Sequence, residues 1–193
     1  MLATVITKTF LDRWKGVAIG AAALAVMFFF GMAVYRDIDL AVYTDLPEAL
    51  RSLMNIPSDA DVGALAYGAI YSSYGALTLA SLALSMGSAS IAGEERKGTM
   101  GLLLGNPKSR THILISKAVN IILLSALGAA VLWLAGIVVP DILNVDVTGI
   151  QVGALVFHMF VIAVFHGFLA MAVGGWTGKN SLASGVTVGL SLI

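Results

Sequence analysis

The sequence predicts an all-α, polytopic membrane bundle, on three observations. Of the 193 residues, 59% are hydrophobic and only 11% charged, whereas a soluble domain carries about a quarter charged residues. Four apolar stretches are each long enough, at about 1.5 Å per helical residue, to cross a hydrocarbon core of about 30 Å. The charges gather in the segments between those stretches, and their sign alternates along the chain. A backbone in lipid must satisfy its own polar groups, so spans of this length are helices. Cysteine is absent, which removes disulfides, a thiolate nucleophile and a thiolate-bound metal.

Residues 1–15 place Val5, Ile6, Phe10, Leu11 and Trp14 to one side and Lys8, Arg13 and Lys15 to the other. This fits a short interfacial elbow helix with Trp14 at headgroup depth, or a plain positively charged flank. The apolar run from Gly16 to Tyr35 exceeds the 7–15 residues or so of a signal-peptide core, so 17–34 reads as a retained first span. Gly16 and Gly20, four residues apart, offer a close-packing face. Residues 36–63 carry Arg36 and Arg51 against six acidic side chains, a net charge of −4. Within them Asp45-Leu46-Pro47-Glu48 reads as a helix start, with a cap, a first-turn proline and an acidic third position. Leu46, Leu50, Leu53 and Met54 then share one face, predicting a short amphipathic helix on the outer surface. It anchors to the interface or, alternatively, covers a substrate exit.

The second span, 64–92, is rich in hydroxyls: Ser72, Ser73, Thr78, Ser81, Ser85, Ser88 and Ser90. Two readings stay open. Either the helix lines a translocation path, with Ser73, Ser81 and Ser85 on it, or it is a tightly packed buried helix. The third and fourth spans cover 113–139 and 152–176, joined by a loop at 140–151 with Asp141 and Asp146. Gly128 and Gly136 mark candidate close contacts. Residues 174–181 form a short loop with Lys179, and 182–193 begin a fifth apolar run. Twelve helical residues reach only about 18 Å, so the chain reads as a single transmembrane domain, 1–193, with four complete spans, the start of a fifth and an incomplete carboxyl end.

Orientation follows from charge. The amino end carries three basic residues against Asp12, and 94–117 carries five against Glu94 and Glu95. Lys179 adds one more, so nine of the eleven basic residues lie on one side of the membrane. The positive-inside rule makes that side, and the amino terminus, cytoplasmic, in the plasma (inner) membrane.

The segment around which these spans are arranged is Glu94 to Lys117. Its charges exclude it from hydrocarbon, yet Thr99 to Leu104 is rich in leucine and methionine, and Pro107 followed by Ser109 reads as a stop and a new start. Charge alone allows a solvated hairpin or a short helix across the cytoplasmic face, offering an apolar ridge. The order Glu94-Glu95-x-x-Gly98-Thr99-x-x-Leu102-Leu103-x-x-x-Pro107-x-Ser109-Arg110, then Lys117, resembles the signature of ABC-2 type permeases, the membrane subunits of a class of ATP-binding cassette exporters. The resemblance implies an ABC-2 permease-like bundle of six spans in a complete member, with 95–106 as the coupling helix that docks on an ABC ATPase subunit. It implies that Met100, Leu102 and Leu103 make the apolar contact with that subunit. Glu94 and Glu95 cap or pair near the helix start, Gly98-Thr99 shapes its turn, and Pro107 ends it. Arg110 and Lys117 anchor the loop to lipid phosphates or carboxylates. It also implies a second permease subunit, identical or related, and no cofactor in this chain, with ATP and Mg bound by the partner.

Other chemistry is poorly supplied. The nearest approach to a phosphate-binding loop, Gly178-Lys179-Asn180, has Val173 for the first glycine and lacks the final hydroxyl, so the chain reads as a transport subunit, not an enzyme. His158 and His166, eight residues apart, miss the spacing of a helical zinc pair. As ionisable groups in a span they are candidates for the translocation path, or each bonds a neighbouring helix. Nucleic-acid recognition has no support. A channel not driven by ATP, a membrane scaffold and an intramembrane enzyme are the rival classes; the absence of carboxylates within the spans counts against the enzyme.

Overall fold

Leu2–Arg36 is one uninterrupted helix, α1. The sequence divides it into an elbow and a span, but no proline or β-turn residue pair interrupts the helical run there, and the structure carries the basic flank straight into the apolar stretch. The computed structural model describes residues 2–37, 45–53, 61–91, 93, 98, 110–147 and 149–191. All regular structure among them is helical: α1, α2 (Glu48–Leu53), α3 (Val62–Ser90), α4 (Arg110–Leu143), α5 (Val152–Thr177) and α6 (Asn180–Ser191). Four of these, α1, α3, α4 and α5, are long and apolar enough to cross a membrane.

The boundaries have local causes. Asp61 caps α3, its carboxylate accepting from the Ala64 amide at 2.6 Å. The loop expected from residue 140 starts later, because α4 runs through Pro140 to Leu143. Asn144 then takes a positive φ of 51°. Its amide reaches the Asp141 carbonyl and that of Val145 reaches Pro140, the two bonds of a Schellman ending. Gly178, with φ 65°, ends α5 in the left-handed conformation and returns its amide to Gly174 at 2.9 Å. Thus the expected 174–181 loop shrinks to the two residues between α5 and α6. In α2 the amides of Leu50 and Arg51 bond to the Pro47 carbonyl. Leu50 and Leu53 are exposed, an apolar face turned outward as an interface anchor requires.

In α1, Val17, Ala21, Leu24, Phe28 and Met32 recur at helical spacing and are buried, while Ile19, Val26, Phe30 and Val34 on other faces are exposed. A helix apolar all round, with one side packed and the other open, suits lipid. α1 packs mainly on α4, and α3 mainly on α5. The α3–α5 contact is backbone on backbone: a Cβ on Gly87 would run into the Gly167 carbonyl oxygen, and one on Gly167 would lie 3.2 Å from the Ala83 oxygen. Small residues at such a crossing let helices without a hydrophobic driving force gain dispersion contact. Gly128 and Gly136 are close contacts too, against Leu79 and against Val152 with Tyr71. Of the first-span pair only Gly20 is used, against Leu82; a Cβ on Gly16 meets nothing within 4 Å among the described residues.

Near its start α3 widens into a π-helix, Tyr67–Gly75, a form met mostly as short insertions and often at functional positions. It presents Tyr67 and Tyr71 to α1 and α4. Phe28 lies 4.9 and 4.3 Å from their ring centroids. Both phenols donate to α4 carbonyls, Tyr67 to Gly136 and Tyr71 to Leu132 at 2.6 Å.

Candidate functional site

The basic side chains of the helices concentrate at one end, where α1 and α4 begin, α3 finishes and α5 gives way to α6. We call it the basic end. A cavity of about 470 Å³ opens there, walled by Asp12 and Arg13 of α1, Ser90 of α3, Lys117 and Asn120 of α4, and Asn180 of α6. Its apolar floor includes Met86, Ile121 and Leu124. Helical geometry assembles the α4 wall: Lys117 and Asn120 are three residues apart and so share a face. Lys117 is 6% and Asn120 2% exposed.

The Asn120 amide is oriented by its surroundings. Its Nδ2 donates to the Ser116 carbonyl at 3.0 Å, and a carbonyl can only accept, so the nitrogen end is fixed. Its Oδ1 is then left buried without a hydrogen-bond partner among the described residues, as is Oδ1 of Asn180. Ser90 spends its proton on the Gly87 carbonyl at 2.6 Å. The wall thus carries Arg13, Lys117 and Asp12, with the two amide oxygens buried behind it.

A second feature runs along α3. Ser73, Ser81 and Ser85 are all exposed and, with Leu77 between, recur every four residues. They form one open hydroxyl-bearing face, whereas Ser88 and Ser90 are buried. For the three path candidates the alternative of a tightly packed buried position therefore does not hold within this chain. His158 is exposed, and half-buried His166 places Nδ1 2.7 Å from the Ile162 carbonyl of its own helix. Neither joins the cavity wall.

Of the residues expected to meet an ATPase subunit, Glu94, Glu95, Thr99, Met100, Leu102, Leu103 and Pro107 lie outside the described residues, as does the coupling helix expected at 95–106. Gly98 is a turn residue with φ 69°, a conformation that favours glycine. Arg110 is the first residue of α4. Lys117, seven residues further, is buried in the cavity wall. The expectations missed Asn120 and Asn180, although a lysine and an asparagine three apart inside an apolar run were a legible signal. They also missed Tyr67 and Tyr71, whose phenols reach carbonyls of α4, Gly136 and Leu132, far along the chain.

No curated protein and no solved structure matches this chain. The family model for the ABC-2 family transporter protein matches residues 3–193, nearly the whole length, including every helix described above. With its four span-forming helices, the chain therefore belongs to the ABC-2 transporter family and is a membrane permease component of an ABC transporter.

Proposed function

We propose that this chain is the permease subunit of an exporter, pairing with an identical or related permease and driven by a separate ABC ATPase subunit that binds ATP and Mg. In this reading the basic end faces the cytoplasm, as the charge distribution favours. Residues 95–106 dock on the ATPase subunit through Met100, Leu102 and Leu103. Glu94 and Glu95 pair or cap at the start, Gly98 and Thr99 form the turn, and Pro107 ends the segment. Arg110 anchors it to headgroups. ATP-driven closure of two ATPase subunits pushes the docked segments, repacking the spans between two arrangements.

The observation that carries the reading is the position of the segment's two ends. It leaves the foot of α3 just after Ser90 and enters α4 at Arg110, and both helices wall the same polar cavity. A push on the segment reaches α3 and α4 directly. The open face with Ser73, Ser81 and Ser85 then borders the translocation path, with His158 and His166 as its candidate ionisable groups.

The test is the double substitution Leu102→Asp and Leu103→Asp, measured with the ATPase subunit in proteoliposomes. Membrane insertion should be unaffected and transport-coupled ATP hydrolysis abolished. Unchanged stimulation of the ATPase would remove docking at this segment from the account.

A further inference from the structure

Away from the basic end, α4 and the first turns of α5 leave a groove of about 290 Å³ between them. Gly136 of α4 abuts Val152, where α5 begins, and Trp133 faces Gly153, its Nε1 3.8 Å from where a Cβ on that glycine would stand. Each helix lines the groove with residues at i, i+4 and i+7, which share a face: Ala126, Ala130 and Trp133 on α4, Gly153, Phe157 and Phe160 on α5. The helices are antiparallel, so this register sets small against large at three levels. Trp133 stands opposite Gly153, Ala130 opposite Phe157, and Ala126 opposite Phe160. The rings are the walls, and the small residues leave the space.

Its surroundings say what fills it. The same two stripes continue past the groove as exposed apolar side chains, Ile137 on α4 and Val161 and Phe165 on α5. The groove is therefore continuous with the flank that a membrane permease turns to lipid. Seven residues at 1.5 Å make it about 10 Å long, about two-thirds of one leaflet's share of a hydrocarbon core of about 30 Å. One polar side-chain atom borders it. The Trp133 indole N–H, in a residue 45% exposed, has no hydrogen bond among the described residues, and it can only donate. Gly153 is the second residue of α5, so this donor stands within a turn of the helix end opposite the basic end, where tryptophan meets the membrane interface. Hydrocarbon offers it no acceptor, whereas the ester carbonyl at the head of an acyl chain does.

We propose that this groove seats one acyl chain of an ester phospholipid, with the Trp133 N–H donating to the ester carbonyl and Phe157 and Phe160 flanking the methylenes. The selectivity lies in the linkage. An ether-linked chain fills the same space but has no carbonyl to accept the bond. An occupant ties α4 to α5 less than one turn below Gly136, the carbonyl that Tyr67 serves. The binding does not rest on coupling to an ATPase subunit.

The experiment uses the full chain carrying Trp14→Phe and Trp176→Phe, which leaves Trp133 as the only tryptophan of the three. In vesicles of dibrominated phosphatidylcholine its fluorescence should be quenched. Diester or diether phosphatidylcholine without bromine is then mixed in, and recovery of fluorescence measures displacement of the quencher. The diester lipid should displace it about fivefold better, the size of one neutral hydrogen bond. Ala130→Leu and Ala126→Leu, at exposed positions, should fill the groove and bring the two lipids to parity. A second measurement counts lipid retained on the chain by native mass spectrometry. Trp133→Phe, which keeps a ring and removes the N–H, should lose diester lipid about fivefold and hold diether lipid as the parent does. Equal displacement by both lipids in the parent overturns the proposal. So does a diester preference that survives both leucine substitutions, which would make Trp133 an ordinary interface tryptophan beside an unused groove. Absence of quenching by the brominated lipid overturns it as well, and gives the face to a second copy or to another span. An ATPase-stimulation assay fails or succeeds with the permease reading alone.

Discussion

The phenol of Tyr67 donates to the carbonyl of Gly136, four residues before Pro140 and so the acceptor that this proline, lacking an N–H, cannot serve. A residue in the π-helical part of α3 thereby repairs a defect in α4. The repair explains how a helix crosses a proline that, read alone, marks its end. Gly136 also lets the start of α5 approach, since a Cβ there would meet Val152 at 2.6 Å.

The relationship predicts a non-additive pair. Tyr67→Phe leaves the Gly136 carbonyl without its donor and should cost about 1–3 kcal/mol of stability. Pro140→Ala supplies a helical N–H to the same carbonyl, so Tyr67→Phe made in that background should cost less by about 1 kcal/mol. Thermal unfolding of the four proteins in one detergent measures the coupling. Strict additivity would mean that the phenol and the proline act on different groups.

Glycines that look alike in sequence should differ in tolerance. Gly87→Ala places a methyl against the Gly167 backbone, which no rotamer can relieve, and should cost about 1–3 kcal/mol. Gly16→Ala, where a Cβ meets nothing within 4 Å among the described residues, should stay within about 0.5 kcal/mol of the parent or gain slightly. Unfolding midpoints of the two variants decide the matter.

Orientation is open to a direct chemical test, helped by a chain with no cysteine of its own. Ser52→Cys, in α2, should react with a membrane-impermeant maleimide on intact cells. Ser109→Cys, before α4, should react only after permeabilisation. The reverse labelling would invert the assignment of the basic end.

The hydroxyl face of α3 makes a matching prediction. Cysteines at 73, 81 and 85 should react with a water-soluble thiosulfonate faster than a cysteine at Val26 on the open side of α1. If those sites react no faster than Val26→Cys, the face meets lipid or protein and not an aqueous path.

Much of the fold was legible because hydrocarbon permits few solutions: the apolar runs and the charge alternation place α3, α4 and α5 to within a few residues, and the apolar part of α1. The extension of α4 through Pro140 was not legible, since the compensating donor, Tyr67, is distant in sequence and reaches it only after packing. The continuity of α1 was missed because a basic flank and an elbow share one residue pattern. In the candidate site, the hydroxyl spacing of Ser73, Ser81 and Ser85 announced a common face but not whether it was covered. The cavity at Asn120 draws on four helices, and no local pattern specifies which ends of separate spans meet.

Where Gly87 and Gly167 let two backbones touch, no side chains interdigitate. The same pair of helices is keyed elsewhere by a side chain, Met159 of α5 lying over Gly75 of α3. A change of crossing angle at that point would be felt at both ends of α3, at Ser90 beside the polar cavity and at Tyr67 and Tyr71 beside α4.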